Sequence, residues 1–147
     1  MREEDVRQLG KELLDLHGLS DWRLFVDNAK TIAGRCWYNQ KVISISGGYV
    51  KKATDAQIRN TLLHEISHAL AGPGSGHDAK WQRIALRIGC DAKSCHDVRF
   101  TDPQWHVFCP CGVNDFMRIK VTKSLRDAIC KVCNQPLKIE RVTTVAD

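Results

Sequence analysis

The 147-residue chain has no apolar run approaching the roughly eighteen residues that a membrane-spanning helix needs, so no membrane partner is expected. The N-terminal stretch MREEDVRQLGKELLDLHGL is acidic early and amphipathic, which does not fit a secretory leader. Without export, a disulfide framework is not expected. Seven cysteines, an odd number, then read as metal ligands plus free thiols in a reducing, cytoplasmic compartment. Long linkers, internal repeats and low-complexity tracts are also missing. One further absence bears on chemistry: no glutamate occurs between Glu65 and Glu140.

What is present reads as soluble and globular, with 43% hydrophobic and 27% charged residues, enough for one modest domain and a small appendix. The net charge of +5 permits contact with nucleic acid without arguing for it. Val6, Leu9, Leu13 and Leu16 recur at helical spacing before Gly18. Residues 22–27, 31–38 and 41–46 are short β-branched and aromatic runs and are expected to be strands, the last broken by Gly47-Gly48. A helix is expected over 54–71, opened by the capping-box pair Thr54 and Gln57 and closed by Gly72-Pro73-Gly74. A second is expected over 78–88, with Trp81, Ile84, Ala85 and Ile88 inward and Gly89 as its cap. Beyond Cys90 the helical period fades, and cysteines and short β-like runs take over. The boundary is placed near 100–103, separating residues 1–100 from 101–147.

His64-Glu65-Ile66-Ser67-His68 is an HExxH motif. On a helix the two histidines sit one turn apart on one face. Taking His64 as zero, His68 falls near roughly 40° and Glu65 near roughly 100°, while Leu62, Leu63, Ile66, Ala69 and Leu70 span roughly 140° to 260°. The histidines therefore point away from the apolar stripe. Neutral imidazoles can hold Zn²⁺ with an open coordination position for water. A carboxylate beside them suits a general base, and Glu65 takes that role rather than that of a ligand. The missing glutamates exclude a downstream Glu as third ligand, and Ala71 and Gly74 break the HExxHxxGxxH spacing. The nearest candidate is His77, after the flexible GPGSG, with Asp78 next and Asp91 weaker.

Cys109-Pro-Cys111 and Cys130-Lys-Val-Cys133, eighteen residues apart, fit a Cys₄ zinc ribbon. Its zinc would be structural, because four thiolates close the shell and the metal supplies folding energy to a small module. Arg118, Lys120, Lys123 and Arg126 lie between the two pairs and are the candidate nucleic-acid contacts, with Arg118 and Lys120 expected to alternate on one strand face. Cys36, Cys90 and Cys95 read as packed thiols, since Cys95-His96 alone does not make a metal site. His17 and His106 read as surface residues. Trp22, Trp37, Trp81 and Trp105 read as core anchors.

The order of WRLFVDNAKTIAGRCWY, KVISIS, TLLHEISHAL, GHDAKW, CPC and CKVC resembles the SprT-like zinc metalloproteases, over roughly residues 20 to 140. The resemblance implies a small gluzincin-like (zincin) α+β protease domain, its active-site helix packed on a short sheet, followed by a zinc ribbon. It implies His77 as third zinc ligand beside His64 and His68. It also implies one catalytic and one structural Zn²⁺, a protein substrate, and an association with DNA, single-stranded above all. A glycine usually follows the third histidine in the family; here Asp78 stands there, where it can cap the helix, support the site or alter substrate access. The strand Val42–Ser46 is the expected acceptor of an extended substrate backbone. Tyr38 is the only side chain suggested as an oxyanion partner. A monomer is expected. The competing reading is a non-catalytic nucleic-acid-binding or transcription-associated zinc protein with a vestigial protease core.

Overall fold

A computed structural model of the chain describes residues 1–93 and 98–142. It divides into two compact units, Met1–Phe100 and Thr101–Asp147. The expected α+β architecture is found, with the HExxH helix against a short sheet and a four-cysteine module later in the chain. Among the described residues no helix is long and apolar enough to cross a membrane.

The first unit begins with α1 (Glu3–Leu16), which buries Val6, Gly10, Leu13 and Leu14. Leu16, expected inward, is 71% exposed. Gly10 packs against the Leu24 side chain and centres the buried face on Val6, Gly10 and Leu13. That leaves Leu16 at the margin of the face, in the last turn.

Three strands follow, β1 (Arg23–Asp27), β2 (Gly34–Trp37) and β3 (Val42–Ser46), in the sheet order β1-β3-β2. β3 is central, parallel to β1 and antiparallel to β2. This corrects the expectation that Val42–Ser46 accepts substrate: both of its edges already carry ladder hydrogen bonds, so it has no free backbone to offer. The central position also explains why Ile43, Ser44, Ile45 and Ser46 are all buried. The two serines are satisfied there. Ser44 Oγ accepts from Trp37 Nε1 at 3.0 Å, and Ser46 Oγ donates to the Ala29 carbonyl at 2.6 Å.

Gly47-Gly48 does more than end β3. Ser46 Oγ accepts from Tyr49 N, and this cap starts a short helix, α2 (Gly47–Lys52), that the sequence pattern does not suggest. α3 (Asp55–Ala71) opens on the expected capping box: Thr54 Oγ1 accepts from Gln57 N at 3.2 Å, and Gln57 Oε1 accepts from Thr54 N at 2.8 Å. α4 (Ala79–Ile88) ends at Gly89 in the left-handed conformation. α3 packs against α1, β2, β3 and α4. The shared core includes Val6, Leu13, Ile43, Ile45, Ile58, Leu62, Ile66, Trp81 and Ala85. Trp22 packs against this core, but Trp37 is 41% exposed and is not the core anchor expected. It lies on the sheet face opposite Ile43, held by its bond to Ser44.

In the second unit β4 (Trp105–Phe108) pairs antiparallel with β5 (Asp115–Arg118) and β6 (Lys138–Arg141), and α5 (Lys123–Arg126) forms one short turn between the cysteine pairs. Val107, Cys109 and Cys130 form its buried centre. β5 ends at Arg118, so Arg118 and Lys120 do not alternate along a strand. Extending the register would set Lys120 against Pro103, which has no N–H to give.

Candidate metal centre and catalytic cleft

α3 carries His64, Glu65 and His68, while His77 comes from the connection to α4. That connection contains Gly72, Gly74 and Gly76, with φ of 88°, 88° and 53°. These left-handed positions turn the chain back over the helix it has just left, which larger side chains would resist. His77 then sits just before Asp78, the N-cap of α4.

The result is convergence. His77 Nε2 lies 3.1 Å from both His68 Nε2 and His64 Nε2. Three nitrogens bound at about 2.05 Å to one tetrahedral ion would stand about 3.3 Å apart. The donor set and spacing therefore fit a zinc ion, and these three residues could hold one. Burial, followed by the neighbouring imidazoles, lowers His64 to about 4, and burial and His77 lower His68 to about 4. Both rings are thus neutral near pH 7, the form that binds metal.

Asp78 and Asp91, the other candidate third ligands, are not in the cluster. Asp78 Oδ1 accepts from Trp81 N at 3.1 Å and is occupied as a helix cap. Asp91 Oδ1 accepts from Lys93 N at 3.0 Å, and Asn60 Oδ1 accepts from Asp91 N at 2.9 Å, tying that loop to α3.

Glu65 is only 7% exposed, and burial pushes its carboxyl up to about 8. It lines a cleft of about 930 Å³ together with His64, His68 and His77. The opposite wall is β2 with its flanks, residues 31–38. β2 pairs with β3 on one side and has no strand on the other among the described residues. Its Gly34 lies so close to α3 that a Cβ there would stand 3.1 Å from Glu65 Cγ. Cys36, expected as a packed thiol, is half-buried on this wall, and burial with the nearby Glu65 charge pushes it up to about 12. It is therefore a neutral thiol. Tyr38 lines the same wall, its phenol also raised by burial. Strand spacing alone does not reveal this wall, because sequence order does not tell which strand is the edge.

The second cluster brings Cys109, Cys111, Cys130 and Cys133 together. Their Sγ atoms stand 2.8 Å (Cys109–Cys111), 3.3 Å (Cys109–Cys133) and 3.7 Å (Cys111–Cys130) apart. Cys109 Sγ accepts from Cys111 N, and Cys130 Sγ accepts from Val132 N. Peptide N–H groups at Cys133 and Val132 pull Cys130 down to about 6. Such bonds favour the thiolate at Cys109 and Cys130, and four sulfurs gathered within one ion's reach fit zinc, with no position left for water.

Arg118, Lys120, Lys123 and Arg126 are all at least partly exposed on the second unit. Arg118 lies at the end of β5 with its guanidinium 5.1 Å from the Phe116 ring, while Lys123 and Arg126 share α5. His106, expected at the surface, is half-buried and pairs with Asp115 at 2.7 Å. Trp105 is half-buried and Cys90 is buried. Cys95 and His96 lie outside the described residues.

A family model, that of the SprT-like family, matches residues 4–101. No curated protein matches the chain. Among solved structures it is similar to the metallopeptidase zymogen abylysin of Pyrococcus abyssi, at 18% identity and a TM-score of 0.49, over 56% of this chain and 78% of that one.

Proposed function

The chain belongs to the SprT-like family, and from that premise we propose that it is a zinc-dependent metalloendopeptidase. The observation that carries the reading is the meeting of three imidazoles with a buried carboxylate in one open-sided cleft. His64, His68 and His77 would hold the catalytic zinc, and Cys109, Cys111, Cys130 and Cys133 a structural one. When bound, the catalytic zinc supplies a Lewis acid that polarises a carbonyl and acidifies water.

The chain's own residues do the rest. The substrate backbone adds to the outer edge of β2, which borders the cleft and carries no strand among the described residues. Glu65, adjacent in sequence to His64, takes a proton from water in the cleft and returns it to the departing amine. Burial of Glu65 suits the second of these steps, because a carboxyl raised toward neutrality holds a proton well enough to deliver it. For the first step Glu65 acts as carboxylate, the form that a dication held by the neighbouring imidazoles would favour. The Cys36 thiol, protonated in this setting, does not compete as a nucleophile.

The substrate is the finer question. Arg118, Lys120, Lys123 and Arg126 could meet phosphates, which supports DNA-associated proteins as targets. The test is cleavage of a basic DNA-binding protein by the zinc-loaded chain, with and without single-stranded DNA and with a chelator. Cleavage that rises with DNA and stops with chelator supports the reading. Intact substrate under every condition, with zinc bound, would favour the non-catalytic binding protein instead.

A further inference from the structure

Each of the three histidines rests on one indole. Trp81 lies four residues after His77, in the first turn of α4, and is completely buried. Its ring centre is 4.7 Å from His64 and 4.6 Å from His77, both edge contacts. It is 5.3 Å from His68, with the planes 28° apart, a stacked contact. Its Nε1–H donates to the His64 carbonyl at 3.4 Å, and its own N–H bonds Asp78. The indole therefore touches two rings from α3 and one from the glycine-rich connection, and its backbone is fixed by the cap beside His77.

Three histidines that must meet one ion lose rotamer freedom when it arrives, and that loss weakens binding. A rigid aromatic floor removes the loss in advance. We propose that Trp81 is a positioning residue: it holds His64, His68 and His77 in their ligating rotamers before metal binds, and so raises zinc affinity. This rests on the reading of the triad as a metal site. Its position in the sequence reads only as core; the contact with all three rings is visible in the fold alone.

The test uses the full chain with its cysteine site already loaded, comparing wild type with Trp81→Phe and Trp81→Leu. Zinc affinity of the folded protein at the histidine site is read by chelator competition, alongside the melting temperature of the form without zinc at that site. Loss of an outer-shell partner costs about 10- to 100-fold in metal affinity. Leu, apolar but without a ring face, is expected to show that loss. Phe, which keeps part of the stacking surface, is expected to lose less, about three- to tenfold. A residue that merely fills the core would lower the melting temperature and leave affinity within about twofold of wild type in both variants, which would overturn the proposal. Histidine ring NMR on the wild-type chain without triad zinc decides independently of either variant folding. One fixed rotamer for each of the three rings is expected, and rotamer averaging would refute the claim. If wild type itself binds no zinc at the histidines, the metal-site reading fails instead, and the two failures are distinguishable.

Discussion

Replacing Gly34 by alanine adds one methyl group where β2 faces the carboxylate arm of α3. The new Cβ would stand 3.1 Å from Glu65 Cγ, 3.1 Å from the Ser44 carbonyl oxygen and 3.2 Å from Thr61 Cγ2. Carbon atoms prefer about 3.5–4.0 Å, so roughly half an ångström must be found. Ser44 belongs to the central strand and cannot yield. The displacement falls on Glu65 and Thr61, or on the spacing between β2 and α3. Gly34 is not at a left-handed position, so backbone strain does not enter. Overpacking of this kind costs about 1–3 kcal/mol. For a unit of this size that lowers the melting temperature by about 5–20 °C. A catalytic group displaced by about an ångström loses about a hundredfold in rate, so half that shift predicts a fall of about 10-fold or more in kcat/KM. Zinc affinity at the histidines should hold, since none of the three colliding atoms belongs to a histidine. The assay is peptide cleavage with zinc content measured on the same sample, well below the melting temperature. Activity equal to wild type would refute the claim that this contact sets the position of Glu65. Activity lost together with the triad zinc would refute the separation of base from metal.

Asp78→Ala removes the cap of α4 and should cost about 1 kcal/mol of stability, read by denaturant unfolding, with zinc affinity at the histidines changed only a few-fold. A collapse of zinc binding there would restore Asp78 as a ligand. Cys130→Ser should remove one zinc per chain and unfold the second unit, seen as lost amide protection across Trp105–Phe108, while the histidine site keeps its metal. Retained protection with one zinc missing would mean that the module folds without its ion.

Features set by neighbours along the chain are legible in the sequence alone. Thr54 and Gln57 satisfy the same helix terminus that their spacing suggests, and Gly89 closes α4 as its position implies. The HExxH register places both histidines opposite the apolar stripe because helical geometry leaves no other arrangement. Eliminating glutamates leaves His77 as the nearest candidate with Asp78 and Asp91 still open, and it is the family resemblance that points to His77. Hidden features depend on pairing at a distance. β3 lies between β1 and β2 although it follows both in the chain, so the strand named as substrate acceptor is the one with no free edge. Trp37 has the composition of a core residue, yet the alternation of β2 sends it to the open face of the sheet. Cys36 lines the cleft on the same strand. Lys120 falls outside β5, where its would-be partner Pro103, distant in the chain, cannot donate. The helix after Ser46 depends on one side-chain cap outweighing two glycines.

The most direct measurement of protease chemistry in this cleft is peptide-bond cleavage by the zinc-loaded chain and its Glu65→Gln variant. Zinc content is determined for both by elemental analysis. Glutamine keeps the size of the buried side chain but cannot accept a proton. Equal zinc in the two proteins is expected, with cleavage slower by about 10²- to 10⁴-fold in the variant, the range of a lost general base. Cleavage at the wild-type rate by a variant with full zinc would contradict the assignment of Glu65 as that base.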